Sequence, residues 1–235
     1  MERRGCLRID AVLVGPVAPL AGTNVSSGIV KRSTGVPVWL SPLGFAGDAQ
    51  GDKRFHGGLE KAVHHYPREH YRLWNQSGYG EHLLLEPGAF GENISTTGWS
   101  EADVCVGDVV QMGDAVVQVT QGRQPCWRLD ARFCHDGMAR EMQQNGRTGW
   151  YYKVLVAGRV HAGQSLTLLY RPHPAWTIAR LAHLVDSTDL DNVHHWLEAS
   201  KLDVLATRWR ETFKARAERR AIEDWGRRLQ RPAAG

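Results

Sequence analysis

A mainly β fold followed by a small helical module is predicted by three observations. Short β-branched or apolar runs recur from residue 9 to about 170, Gly, Pro, Asn and Asp punctuate them closely, and after Tyr170 the pattern turns helical. Many short strands with close turns favour a barrel or a sandwich. The chain has 235 residues, 42% hydrophobic and 23% charged, which is enough to bury a core without disulfides or structural metal.

Taken in order, strands are expected at residues 10–16, 28–31, 36–40, 62–66, 104–106, 109–112, 115–120, 151–156 and 165–170. Met112-Gly113-Asp114 reads as a hairpin turn, and Val106-Gly107-Asp108 as a second break or bulge. Two helices interrupt the strands. Pro67 opens the first, through about Gln76, at the first-turn position where its missing N–H costs least, with Tyr71 and Trp74 as the apolar face. The second covers residues 136–144.

Arg171-Pro172-His173-Pro174 reads as a linker, placing a boundary near 172 between a β-rich body (1–172) and a three-helix module (173–235). The module's helices are expected at 176–185, 190–199 and 202–230. In the last, Leu202, Leu205, Trp209 and Phe213 keep a 3–4 spacing that Ile222, Trp225 and Leu229 resume.

The formal charge of +4 is localised. Residues 201–235 hold ten Lys/Arg against five Asp/Glu, so the rest of the chain is close to neutral. Glu211, Glu218, Glu223 and Asp224 interleave with those bases, which favours a solvated amphipathic face over a nucleic-acid footprint; no nucleic-acid polymer is expected as a partner. Cys6, Cys105, Cys126 and Cys134 are too few and too scattered for a disulfide framework, and no CxxC pair offers zinc or iron–sulfur spacing. Arg3-Arg4-Gly5-Cys6 loosely imitates a twin-arginine signal. Asp10, Pro16 and Pro19 argue against it, so a cytoplasmic location away from membranes is expected.

Two runs do not look like ordinary core. Cys126 lies in Gln121-Gly122-Arg123-Gln124-Pro125-Cys126-Trp127, just past a good strand and between Arg123 and Arg128. Nearby positive charge favours a thiolate, the form that attacks electrophiles or binds soft metals. From these residues alone, a buried structural thiol and a functional one are equally good readings. The second run, from Gly47 to Gly58, combines Asp52, Lys53, Arg54 and His56 with the tandem Gly57-Gly58, which suits a tight backbone path around a phosphate or another anion. It is neither a Walker A loop nor a dinucleotide fingerprint. His64, His65 and His70 read as structural, because His64 and His65 point to opposite faces of a strand and Pro67 separates them from His70.

These runs together resemble the MOSC-domain family, in its YiiM-like branch. The matching residues are Ser27-Gly28-Ile29-Val30-Lys31, Gly44 through Gln50, His56-Gly57-Gly58, Lys61-Ala62-Val63, Tyr66 through Tyr71, Phe90-Gly91-Glu92-Asn93, Gly107-Asp108 and Gln121 through Cys126. The resemblance implies a MOSC β-barrel-like domain that binds molybdenum cofactor (molybdopterin with its Mo), with Cys126 as catalytic residue and metal ligand. It makes Lys31, Asp52, Arg54, His56, Gly57, Gly58, Asn93, Gln121 and Arg123 candidates for cofactor binding; Lys31, Arg54 and Arg123 would suit the pterin phosphate. It further implies reduction of N-hydroxylated substrates such as hydroxylaminopurine-type base analogues. With no flavin or iron–sulfur motif here, the electrons would come from a separate reductase of flavin or iron–sulfur type. The alternative is a sulfur-carrier or cofactor-delivery protein using Cys126 as persulfide or ligand. Gly122 departs from the Pro usual in this branch and Gly51 from the usual Ala; the first is expected to loosen the approach to Cys126. The amphipathic tail and nine tryptophans permit a homodimer.

Overall fold

The structure, a computed structural model, describes residues 5–52, 56–77 and 86–231. In chain order its strands begin with β1 (Cys6–Val14), β2 (Ala18–Pro19), β3 (Ser26–Ser27), β4 (Arg32–Ser33), β5 (Val38–Ser41), β6 (Gly44–Phe45) and β7 (Val63–Pro67). Helix α1 (Glu69–Gln76) precedes β8 (Ile94–Thr96), β9 (Val109–Met112) and β10 (Ala115–Gly122). Then come α2 (Arg128–Phe133), α3 (Met138–Asn145), β11 (Trp150–Val156), β12 (Gly158–Val160) and β13 (Ser165–Tyr170). The C-terminal segment holds α4 (Ile178–Asp186), α5 (Val193–Ser200), α6 (Thr207–Arg219) and α7 (Gly226–Leu229).

Seven strands close a barrel in the order β13-β9-β10-β11-β7-β8-β1, with β1 pairing back onto β13. All contacts are antiparallel except β7 with β8. Closure removes the open sheet edges that would otherwise template association. β10 shows why these residues make a barrel wall: Ala115, Val117 and Val119 are buried inward while Val116 and Gln118 are half-buried outside. Ile9, Val12, Val63, Ile94, Val110, Met112, Trp150, Tyr152 and Leu166 complete the interior. The β9–β10 hairpin turns through Gly113 at φ 57°, as its sequence suggests.

A second apolar cluster packs α1, α2 and α3 around Phe90, with Tyr66, Trp74, Trp127 and Phe133. A third lies in the C-terminal segment around Trp196, Trp209 and Phe213, and it takes in Val106 from the body. No described helix is long and apolar enough to cross a membrane.

Several expectations are corrected. Residues 28–31 form no ladder: Gly28 lies so close to the 48–51 loop that an added Cβ would sit 1.8 Å from the Ala49 carbonyl oxygen. Residues 104–106 make only one bridge, Cys105 with Thr177, because Val106 N–H donates to Trp176 O and Cys105 N–H to Asp108. Pro67 ends β7 instead of opening the helix. The helix at 128–133 was not expected; its buried residues are Leu129, Asp130, Ala131 and Phe133, too few and too mixed for periodicity to show.

The expected helix at 202–230 is broken. α6 ends at Arg219, and Arg220 turns through φ 49°. Arg216 explains the turn: buried, it donates to the Leu184 and Val185 carbonyls and to Glu223, which draws 220–225 back over the end of α4. Gly122, expected to loosen the approach to Cys126, lies inside the β10–β11 pairing. It pairs with Trp150 in the ladder, and a Cβ there would stand 3.3 Å from Ile178 and Trp209.

Candidate active site

The site is a cleft of about 650 Å³, counting its open mouth, between the end of β10, the loop at 26–31, residues 48–52 and residues 56–57. These loops touch backbone to backbone: Cβ atoms at Gly28 and Gly51 would lie 1.8 Å from Ala49 O and 2.4 Å from Ser26 O. The cleft wall is therefore built from chain, and its side chains are free to line the opening.

Cys126 sits four residues beyond β10, half-buried at the cleft, immediately before α2. His56 Nε2 stands 3.7 Å from its Sγ. Burial, reinforced by Arg128, Lys61 and Arg123, pushes His56 down to about 4, so at neutral pH a neutral imidazole meets the sulfur. Lys61 lines the same cleft. Burial, with Arg208 nearby, pushes it down to about 8 against the opposing pull of Glu60 and Cys126. Arg123 donates from Nη1 to Phe90 O at 2.6 Å, while its backbone N–H bonds Gly149 O. Tyr151 supplies an aromatic wall, and burial holds its phenol above the ordinary range.

Lys31, Asp52, His56, Gly57, Asn93, Arg123 and Cys126, separated widely in sequence, are brought to this one cleft. Their roles differ. Lys31 Nζ is paired with Asp48, and Asn93 braces the wall, donating to Leu13 O and Asp48 and accepting from the His64 N–H. Gly57 and Gly58 both adopt positive φ (117° and 85°), which favours glycine, but Gly58 starts the 3-10 turn Leu59–Lys61 and does not line the cleft. Gln121 is buried on β10 outside the lining, its Nε2 donating to Gly122 O. Arg54 and its neighbour Lys53 lie outside the described residues.

Sequence reasoning missed Lys61, Asp48 and Tyr151 as cleft residues. Asp48 lay inside the Gly-rich run already singled out, but a carboxylate in a charged loop carries no local sign of its partners. The three expected structural histidines have protein partners: His64 faces Thr148 O, His65 bridges Tyr152 and Thr96, and His70 pairs with Glu101. His64 also lines the cleft.

Among the described residues, no group of three or more His, Cys, Asp or Glu side chains could cage a bare metal ion. A metal at the Cys126 sulfur would meet that thiol and the neutral His56 imidazole beside it, and so must bring its other ligands. An anionic group whose metal is already held by sulfur fits that donor set and the Lys61, Arg123 and Arg128 lining.

A family profile described as MOSC domain matches residues 52–167. Protein YiiM of Escherichia coli strain K12 is 37% identical over 205 residues, covering 86% of this chain and 90% of its own. The crystal structure of YiiM from Escherichia coli superposes with a TM-score of 0.77 at 31% identity, over 95% of this chain and 99% of that one. A Gibberella moniliformis protein named Reductase is 36% identical over 165 residues, which is 70% of this chain but 29% of that protein.

Proposed function

The chain belongs to the MOSC-domain family, among its YiiM-like members, and from that premise we propose that it is a molybdenum-cofactor-dependent reductase of N-hydroxylated compounds. MOSC domains are associated with molybdenum-cofactor binding. The observation that carries the reading is the Cys126 sulfur beside a neutral His56 in a cation-lined cleft. Cys126 would be the protein's ligand to molybdenum, a soft donor for a metal already held by dithiolene sulfurs. Arg123, Lys61 and Arg128 would compensate the cofactor's negative charge, while Lys31 acts mainly through Asp48 to hold the wall.

When bound, the cofactor supplies the two-electron chemistry. The net reaction is R–NHOH + 2 e⁻ + 2 H⁺ → R–NH₂ + H₂O, with the N–O bond broken and the oxygen leaving as water. The electrons come from a separate reductase of flavin or iron–sulfur class. A flat heteroaromatic substrate such as a hydroxylaminopurine would have Tyr151 as a stacking face.

The test is metal analysis of protein made in a cofactor-competent host. Wild type should carry about one molybdenum per chain, as one thiol ligand requires. Cys126→Ser should lose both the metal and N-hydroxyaminopurine reduction. Metal-free wild type from such a host would overturn the reading. An added sulfur atom on Cys126 by intact mass, without turnover, would favour the sulfur-carrier alternative.

A further inference from the structure

Cys126 is held from behind by the far end of the chain. The turn that carries it, residues 123–127, belongs to neither β10 nor α2. Pro125 has no N–H to anchor it, and its carbonyl needs a donor. Arg228, 103 residues later on α7, donates from Nη1 to Pro125 O at 2.6 Å. On the other side of the thiol, the Trp127 N–H donates to the Arg228 carbonyl at 2.9 Å. The second arm of the guanidinium, Nη2, donates to Gln143 Oε1 at 2.6 Å and ties the same residue to α3. One residue thus grips the backbone immediately before and after Cys126. The planar fork suits this, since it serves two acceptors on different elements at once. Burial works against the Arg228 cation, but Asp186, Cys126 and Glu223 favour it.

We propose that Arg228 is a positioning residue for Cys126: the C-terminal turn of helix is a strut that fixes the thiol-bearing loop and so aims its sulfur into the cleft. This rests on the reading of Cys126 as the molybdenum ligand. It assigns the basic C-terminal segment a part in the site that neither its charge nor its amphipathic pattern suggests.

The test uses the full chain with Arg228→Met, which keeps the aliphatic stem but removes the donors, and Arg228→Gln as a milder second variant. In metal-free protein, amide exchange at Trp127 and Leu129 should rise about tenfold or more, as loss of hydrogen bonds to a charged group requires. Amides of Val117 and Val119 in β10 should not change. The rate of Cys126 alkylation by iodoacetamide, read by intact mass, should shift several-fold. Millimolar guanidinium ion should restore it in Arg228→Met, and the same concentration of sodium chloride should not. After cofactor loading, molybdenum per chain should fall, and turnover per bound molybdenum should drop with KM little changed.

Exchange and alkylation within about twofold of wild type in both variants would overturn the proposal. So would an exchange increase spread equally over β10, which would mark a general stabilising role. The two readings fail separately. Cys126→Ser that keeps its molybdenum removes the cofactor assignment and leaves the exchange result standing, whereas unchanged exchange beside a metal-free Cys126→Ser removes only the role of Arg228.

Discussion

Asp48 holds more of the cleft wall together than any local feature of its loop suggests. Its carboxylate accepts from the Gly15 N–H at 3.0 Å and from Asn93 Nδ2 at 2.9 Å, and it pairs with Lys31. Both partners of the ion pair are nearly dry, with side chains 6% and 1% exposed. Removing one charge from such a pair leaves the other buried without compensation, which costs about 3–5 kcal/mol. Asp48→Asn should therefore lower unfolding stability by about that amount in urea titrations, and Asp48→Asn with Lys31→Met should recover a large part of it. A double variant no more stable than the single one would contradict the pairing. Cys126, His56 and Gly57 were legible because a lone thiol after a strand and glycines beside a histidine are unusual locally. The partners of Lys31 and Asn93 were not, because they are chosen across 17 and 45 residues by folding. Lys61, an ordinary lysine before a strand, stood out only within the family-like run Lys61-Ala62-Val63, with no local sign of a cleft position.

Elements with strict alternation were readable, and those whose hydrogen bonds go elsewhere were not. β10 and β11 alternate in burial over Ala115–Val119 and Trp150–Lys153 and pair along almost their whole length. Residues 28–31 and 104–106 have strand-like composition, yet their neighbours are a loop and the tail, so no ladder forms. The end of α4 illustrates a further contact between elements. There Asp186 is raised to about 7 by burial, partly offset by Arg228 and Arg216. Its folded value exceeds the unfolded carboxylate value near 3.8, so its contribution to stability is fully present below about pH 3.8 and is lost as pH rises through about 7. Asp186→Asn should accordingly gain about 1–3 kcal/mol over wild type at pH 8.5 and show no gain at pH 4. Urea midpoints at the two pH values check this, and an equal shift at both would show that ionisation is not the cause.

At the scale of the whole molecule, the barrel and the C-terminal segment share both core and backbone hydrogen bonds. Ile178 lies in the barrel's apolar cluster, and Val106 of the body lies in the helical cluster around Trp196 and Trp209. Ile178 N–H donates to Val104 O, Ala179 N–H to Glu101 O, Val106 N–H to Trp176 O, and Ala206 N–H to Thr120 O. The hydroxyl and backbone N–H of Thr207 both donate to Glu60, one residue from Lys61 in the cleft. A chain ending at residue 172 would leave the Val104, Glu101 and Thr120 carbonyls without these donors and expose the apolar surface around Val106. The full chain should then unfold in urea as one unit, with far-ultraviolet circular dichroism and tryptophan fluorescence tracing the same transition. The 1–172 fragment should show a lower midpoint, a shallower slope and binding of an apolar dye. Two separated transitions in the full chain, with the fragment as stable as the first of them, would instead mark the segment as an independent module. The distinction bears on the site, because a segment that unfolds with the barrel can hold the Cys126 loop in place for as long as the barrel itself persists.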